Sequence, residues 1–141
     1  MPPMSQREDT IRTHEKIAPG LCGRPVALFA GGARVALDTT AEMAADTRGL
    51  VHGGFTFGLA DYAAMLAVNE PTVVLASAET KFLGPVVAGE HLEAEARVER
   101  ADGKKRWVTV VVRRDGAPVM EGTFLAIVPD RHILDVARDR R

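Results

Sequence analysis

The sequence predicts an α+β fold in which a strongly curved antiparallel sheet wraps around one long, enclosed helix. Three observations lead there. Within GLVHGGFTFGLADYAAMLAVNEP, Gly49 to Pro71, the stretch from Gly53 onward reads as a helix apolar on nearly every side, and it is the only long helical stretch. Alternating runs follow it, most clearly HLEAEARVER from His91 to Arg100. There Leu92, Ala94, Ala96 and Val98 share one face, and Glu93, Glu95, Arg97 and Glu99 the other, the pattern of a half-buried strand. A helix on the open surface of a sheet carries a polar stripe, and this one does not. The sheet is therefore expected to curve around it, with a partner subunit closing the rest, so that the molecule is dimeric or higher.

The other elements follow in chain order. Ser5-Gln6-Arg7-Glu8 matches a capping box and predicts a short amphipathic helix to about Ile17, ended by Pro19-Gly20. Residues 1–20 thus read as a helical extension covering one edge of the core. GRPVALFAGGARVALDTT holds two apolar runs around Gly31-Gly32, which predicts strand, tight turn, strand. EMAADTRGL is an irregular connection into the long helix. After it, Thr72 to Phe82 (TVVLASAETKF) reads as a strand, and GPVVAGE as a bend. Lys105 to Arg114 and Ala117 to Val128 are further strands, set off by turns at Asp102-Gly103 and Asp115-Gly116. The four strands after the helix are expected to form a meander. Residues 129–141 are a charged tail, and without repeats or linkers residues 1–141 read as one domain.

Composition narrows the function classes. A chain of 141 residues with 46% hydrophobic content can bury a core, and a net charge of -1 argues against nucleic acid or an acidic membrane as partner. One cysteine, Cys22, cannot build a disulfide framework or a multi-thiolate metal site within the chain. His14, His91 and His132 lack metal-ligand spacing, so no metal is expected. MPPMSQREDTIRTHEK is polar where a signal peptide needs an apolar run, and no window approaches the ~20 apolar residues that span a bilayer. A cytoplasmic setting is expected.

Chemistry concentrates in the long helix. Gly53 and Gly54 stand at its first turn, behind His52, where unpaired backbone N–H groups and the positive dipole end point outward. Without a Cβ, the backbone there can be approached closely, and such a terminus suits an oxyanion developing on a carbonyl. A tight strand-to-helix turn alone would also account for the two glycines. Asp61 tips the balance. Positions 57, 58, 64 and 65 are Phe, Gly, Ala and Met, so this buried carboxylate has no local ion-pair partner. A carboxylate so placed is a candidate general base or nucleophile. Gly53 and Asp61 are separated by about 12 Å of helix. If both act on one carbonyl, the aspartate comes from a neighbouring subunit.

HGGFTFGLAD, with the irregular loop before it and the strand ending KFLGPVVAGE after it, resembles the hotdog-fold acyl-CoA thioesterases. The likeness is to the branch that holds the phenylacetate-pathway thioesterases, and it spans about residues 23 to 128. The resemblance implies that Gly53 polarises the thioester carbonyl and that Asp61 of a partner subunit activates water or attacks directly. It gives His52 a pocket or thioester contact, unless the residue is only structural. An asparagine of the relatives is replaced here by Asp46, either a second acid near the site or a plain turn residue. Ser77 is the nearest match to a substrate-touching Ser or Thr on the strand after the helix, and a buried strand serine is its alternative. Gly54, Phe55 and Phe57 would bind substrate, the acyl tail running along the helix near Phe55, Phe57 and Leu59. Lys81, Arg106, Arg113 and Arg114 are candidates for the coenzyme phosphates, or solvated strand charges. Coenzyme A is part of the substrate and no separate cofactor is implied. A hydratase or dehydratase of the same fold, and a non-catalytic acyl-CoA-binding module, are the alternatives.

Overall fold

The computed structural model describes residues 10–139. Tight turns set its hairpins. β1 (Arg24–Phe29) and β2 (Gly32–Asp38) pair antiparallel across Ala30-Gly31, with Gly31 at a positive φ of 73°. β5 (Lys105–Arg114) and β6 (Ala117–Ile127) join through Asp115-Gly116, both at positive φ, a turn whose twist matches that of the strands it links. β4 (His91–Asp102) lies between β2 and β5, and β3 (Val74–Phe82) pairs with β6.

The result is one six-stranded antiparallel sheet in the order β1-β2-β4-β5-β6-β3. β4, β5 and β6 form the expected meander, but β3 is not its first strand. Both edges of β4 are occupied, by β2 and β5, so the open place for β3 is beyond β6. Residues 83–90 carry the chain back across the sheet to reach β4.

The long helix α2 (Gly53–Val68) packs on the sheet. Leu59, Ala60, Ala63 and Leu66 are wholly buried, and the small alanines let the strands come close. They meet Leu92, Ala94 and Ala96 of β4, the face the alternation predicted, and Val108, Val110 and Val112 of β5. Leu59 is thus a core residue and lines no acyl channel.

The N-terminal segment departs from expectation. The capping box at Ser5 lies outside the described residues, and residues 10–18 run without helix. Pro19-Gly20 opens a helix instead of ending one: α1 (Pro19–Cys22) has proline at its first position, where the missing N–H breaks no hydrogen bond. Asn69, in the left-handed conformation (φ 51°), caps the C-terminus of α2. Its side chain accepts the Arg12 N–H at 2.8 Å and donates to the Thr10 carbonyl at 3.0 Å. Farther along, the His14 ring leans on Tyr62 of α2. The C-terminal half of α2 is covered in this way on the side away from the sheet. Residues in the N-terminal half on that side, Gly54, Gly58 and Asp61, are left exposed or half-buried, while half-buried Phe57 at its flank packs on Phe124 of the sheet. A last helix, α3 (Ile133–Asp139), ends the described chain.

Gly23 is the tightest joint between α1 and the core. Its φ is +112°, and a Cβ there would sit 2.8 Å from Val35 and 2.9 Å from Leu59. Gly23→Ala is expected to destabilise the fold by about 2–4 kcal/mol, combining backbone strain with overpacking. Urea denaturation beside wild type measures this, and Gly20→Ala, with open space around its Cα, is the control.

Candidate active site

Two loops position the start of α2. Residues 46–50 are held by the Asp46 carboxylate, whose Oδ1 accepts the backbone N–H groups of Arg48 and Leu50, each at 3.0 Å. Ala45 donates to the Leu50 carbonyl, and the His52 N–H to the Met43 carbonyl at 2.9 Å. The second loop, residues 83–90, is bound to the first through Val51 N–H to the Val86 carbonyl and Ala88 N–H to the Gly49 carbonyl. Arg114 braces it by donating to the Pro85 carbonyl and pairing with Glu90. Asp46 accordingly does the work of a turn residue.

His52 is the N-cap of α2. Its Nδ1 accepts the Gly54 N–H at 2.8 Å, which places the proton of the neutral ring on the exposed Nε2. This divides the two glycines. The Gly54 donor is spent on the cap, and a Cβ at Gly54 would lie 2.8 Å from His52 Nδ1. The Phe55 N–H goes to the His52 carbonyl. The Gly53 N–H meets no acceptor among the described residues and points outward at the positive end of the helix. Its Cα faces the Phe82 ring, which a Cβ would approach to 3.3 Å.

Asp61 lies two turns farther along, on the side of α2 that the sheet does not cover. Its Oδ1 is buried and has no hydrogen-bond partner among the described residues. Burial of the carboxylate, with no cation to offset it, raises its pKa from the ordinary 3.8 to about 6. Phe57, one turn back, packs on Phe124 of β6 with ring centroids 5.4 Å apart. Cys22, at the end of α1, is the neighbour that spacing alone could not reveal. Burial, and secondarily the Asp61 charge, push its thiol above the ordinary value.

Ser77 is not brought to this group. It pairs across the sheet with Leu125, and Leu125 with Trp107, on the face opposite the buried Val108 and Val110. There it is exposed, in a groove of about 270 Å³ shared with Glu79, Trp107, Thr123 and Leu125. The strand residues turned toward α2 are Ala78, opposite the core residue Phe124, then Thr80 and Phe82. A register shift between Leu75 and Ser77, invisible in the sequence, accompanies this assignment of faces. Of the surface cations, Arg106 donates to the carbonyls of Gly103 and Lys105, and Arg100 sits 4.3 Å over the Trp107 ring. Among the described residues no three His, Cys, Asp or Glu side chains are grouped to hold a metal.

The raised Asp61 pKa has a stability consequence of definite sign. The folded state holds the proton more tightly than the unfolded chain does. The associated stability is full below about pH 3.8 and is lost as pH rises through about 6. Asp61→Asn removes the charge at constant size. It is expected to be more stable than wild type at pH 8 by about 1–2 kcal/mol, allowing for partial solvent access, with the gap closing by pH 4. Thermal melts across that range test this, and a gap independent of pH would contradict it.

Comparison with known families matches residues 48–121 to the thioesterase superfamily. Among solved structures, an uncharacterized protein from Pyrococcus horikoshii is 51% identical, with a TM-score of 0.88, covering 89% of this chain and 96% of its own. A variant of the phenylacetic acid degradation protein PaaI from Thermus thermophilus is 30% identical, with a TM-score of 0.72 over 77% of this chain and 95% of its own. A hypothetical thioesterase from Streptococcus pneumoniae, solved with coenzyme A, shares the fold at 18% identity, with a TM-score of 0.70 over 77% of this chain and 87% of its own. Among curated proteins, methylthioribose-1-phosphate isomerase from Aquifex aeolicus is 50% identical over 117 residues, which are 83% of this chain and 26% of that protein. This chain thus spans about a quarter of that relative's length. The matched segment takes in the end of the first loop, all of the second, all of α2, β3, β4 and β5, and the first five residues of β6, and by it the chain belongs to the thioesterase superfamily, with a hotdog fold.

Proposed function

We propose that the chain hydrolyses an acyl-CoA thioester to the free acid and coenzyme A, at sites built by two copies of the chain. The observation that carries this reading is Asp61, a desolvated carboxylate without a partner on the uncovered side of a helix whose N-terminus offers the Gly53 N–H. The solved relative holding coenzyme A supports the choice of thioester.

Two features support a second copy. β3 is a nine-residue edge strand without proline, exposed along most of its length, and its outer backbone groups have no strand to pair with. The other edge, β1, is shorter and is interrupted at Pro25 by a register shift, the usual protection against edge pairing. Gly58 is the second feature. A mid-helix glycine costs about 1 kcal/mol against alanine, yet among the described residues nothing beyond the adjoining helix backbone lies within 4 Å of where its Cβ would be. Close approach of a second copy or of the substrate accounts for it.

In this reading the thioester carbonyl oxygen takes the Gly53 N–H, and the helix end stabilises the oxyanion of the tetrahedral intermediate. Asp61 of the partner copy either removes a proton from the attacking water or attacks the carbonyl carbon itself. Collapse of the intermediate expels the coenzyme as thiolate, which takes up a proton; on the direct-attack route the acyl group is left as an anhydride on Asp61, and water then cleaves it to the free acid and the regenerated carboxylate. His52 holds the first turn through Nδ1 and can donate from Nε2. Asp46 fixes the loop ahead of it. Phe55 and Phe57 flank the acyl group, with Phe82 over the Gly53 end.

Release of free thiol from a panel of short, long and aromatic acyl-CoAs tests the reading. Wild type is expected to turn over at least one of them, and Asp61→Asn to lose ~10²-fold or more while still binding. Because the carboxylate must be ionised to act, wild-type kcat/KM is expected to rise with pH through about 6 and then level off. Equal rates in wild type and Asp61→Asn would remove Asp61 from the chemistry. Tight binding without turnover of any ester would leave an acyl-CoA-binding module.

A further inference from the structure

Resting on that hydrolase reading, we infer that the site selects an uncharged acyl group and rejects one that ends in a carboxylate. Asp61 is the only charged residue from Gly53 to Val68. Its Oδ1 is already buried without a hydrogen bond. Around it the surfaces are apolar: Phe57 on Phe124, Met65 buried one turn on, and Ala78 across the sheet from Phe124. Toward the start of the helix the walls are Phe82 over Gly53 and the exposed Leu50, Leu83 and Val87 of the two loops.

A carboxylate at the end of the acyl chain needs a cation or several donors to leave water. Among the described residues no lysine or arginine is buried. Arg114 is committed to Glu90 and the Pro85 carbonyl. Lys81 alternates with Phe82 along β3 and so stands on the other face of the sheet. Arg48 is exposed on the loop ahead of α2. The charged group that such a substrate would meet on α2 is Asp61, a like charge, while His52 lies at the thioester end with its Nδ1 committed to the Gly54 N–H. Discrimination therefore comes from an unpaired, repelled anion as well as from lost apolar contact.

Matched pairs of esters test this: butyryl-CoA against succinyl-CoA, and hexanoyl-CoA against adipoyl-CoA. The neutral member is expected to have kcat/KM higher by ~100-fold or more in each pair. Ratios within about threefold, or in the opposite sense, would overturn the inference. Titration calorimetry with the non-hydrolysable thioether analogues of hexanoyl- and adipoyl-CoA separates selectivity from catalysis. The neutral analogue is expected to bind tighter, and Asp61→Asn to narrow the gap by ~tenfold by removing the like charge. If no ester is turned over, the hydrolase reading fails while the thioether titrations still decide selectivity. Equal binding of the two analogues, no binding of either, or a gap unchanged in Asp61→Asn would each contradict it.

Discussion

One sheet can cover only one side of a helix, and α2 is apolar all the way round. The six strands bury Leu59, Ala60, Ala63 and Leu66 completely. Residues 10–17 then drape over the C-terminal half, held by Asn69 and by the His14–Tyr62 contact. No described segment of the chain covers the N-terminal half in the same way. Gly54, Gly58 and Asp61 fall on one stripe of the helix, at the spacing that puts them side by side. The functional reading depends on that uncovered stripe, because it is where a carboxylate can be desolvated and still be reached.

The first turn of α2 shows how little machinery the proposed chemistry asks of one chain. A helix start offers several unpaired N–H groups, and here most of them are used by the fold itself. His52 takes the Gly54 donor at its Nδ1, and its carbonyl takes the Phe55 donor. What remains is the Gly53 N–H, set between the Phe82 ring and the loops that Asp46 and Arg114 brace. The donor lies on a helix and between two tied loops, so it is pre-oriented and needs no rearrangement to meet developing charge. Asp61 on the same helix cannot reach that point, being about 12 Å away.

Much of this was readable from residue spacing. The long helix is legible by its unbroken apolar run, β4 by its strict alternation, and β5, β6 and the β1–β2 hairpin by apolar runs set off by turn residues of the types their φ angles require. β3 was readable as a strand but not in its place or its faces. An edge strand exposed on both sides has little alternation to read, so Ser77 passed for a site residue while Ala78, Thr80 and Phe82 face the helix. Pro19-Gly20 is ambiguous in sequence, since proline opens a helix as readily as it follows one. The turn bonds that Asp46 accepts from the Arg48 and Leu50 N–H groups, and the place of Cys22 beside Asp61 through packing of α1, come from the fold. Both depend on contacts that one-dimensional spacing does not carry.

The central claim, that Gly53 and Asp61 act from different copies of the chain, is tested most directly by subunit complementation. Asp61→Asn and Gly53→Val variants, each inactive alone, are denatured together, refolded as a mixture and assayed for thiol release. Composite sites predict that mixed dimers regain one intact site each, restoring about a quarter of wild-type activity when half of the dimers are mixed. No recovery, with mixed dimers shown to have formed, would place both groups in one chain and contradict the account.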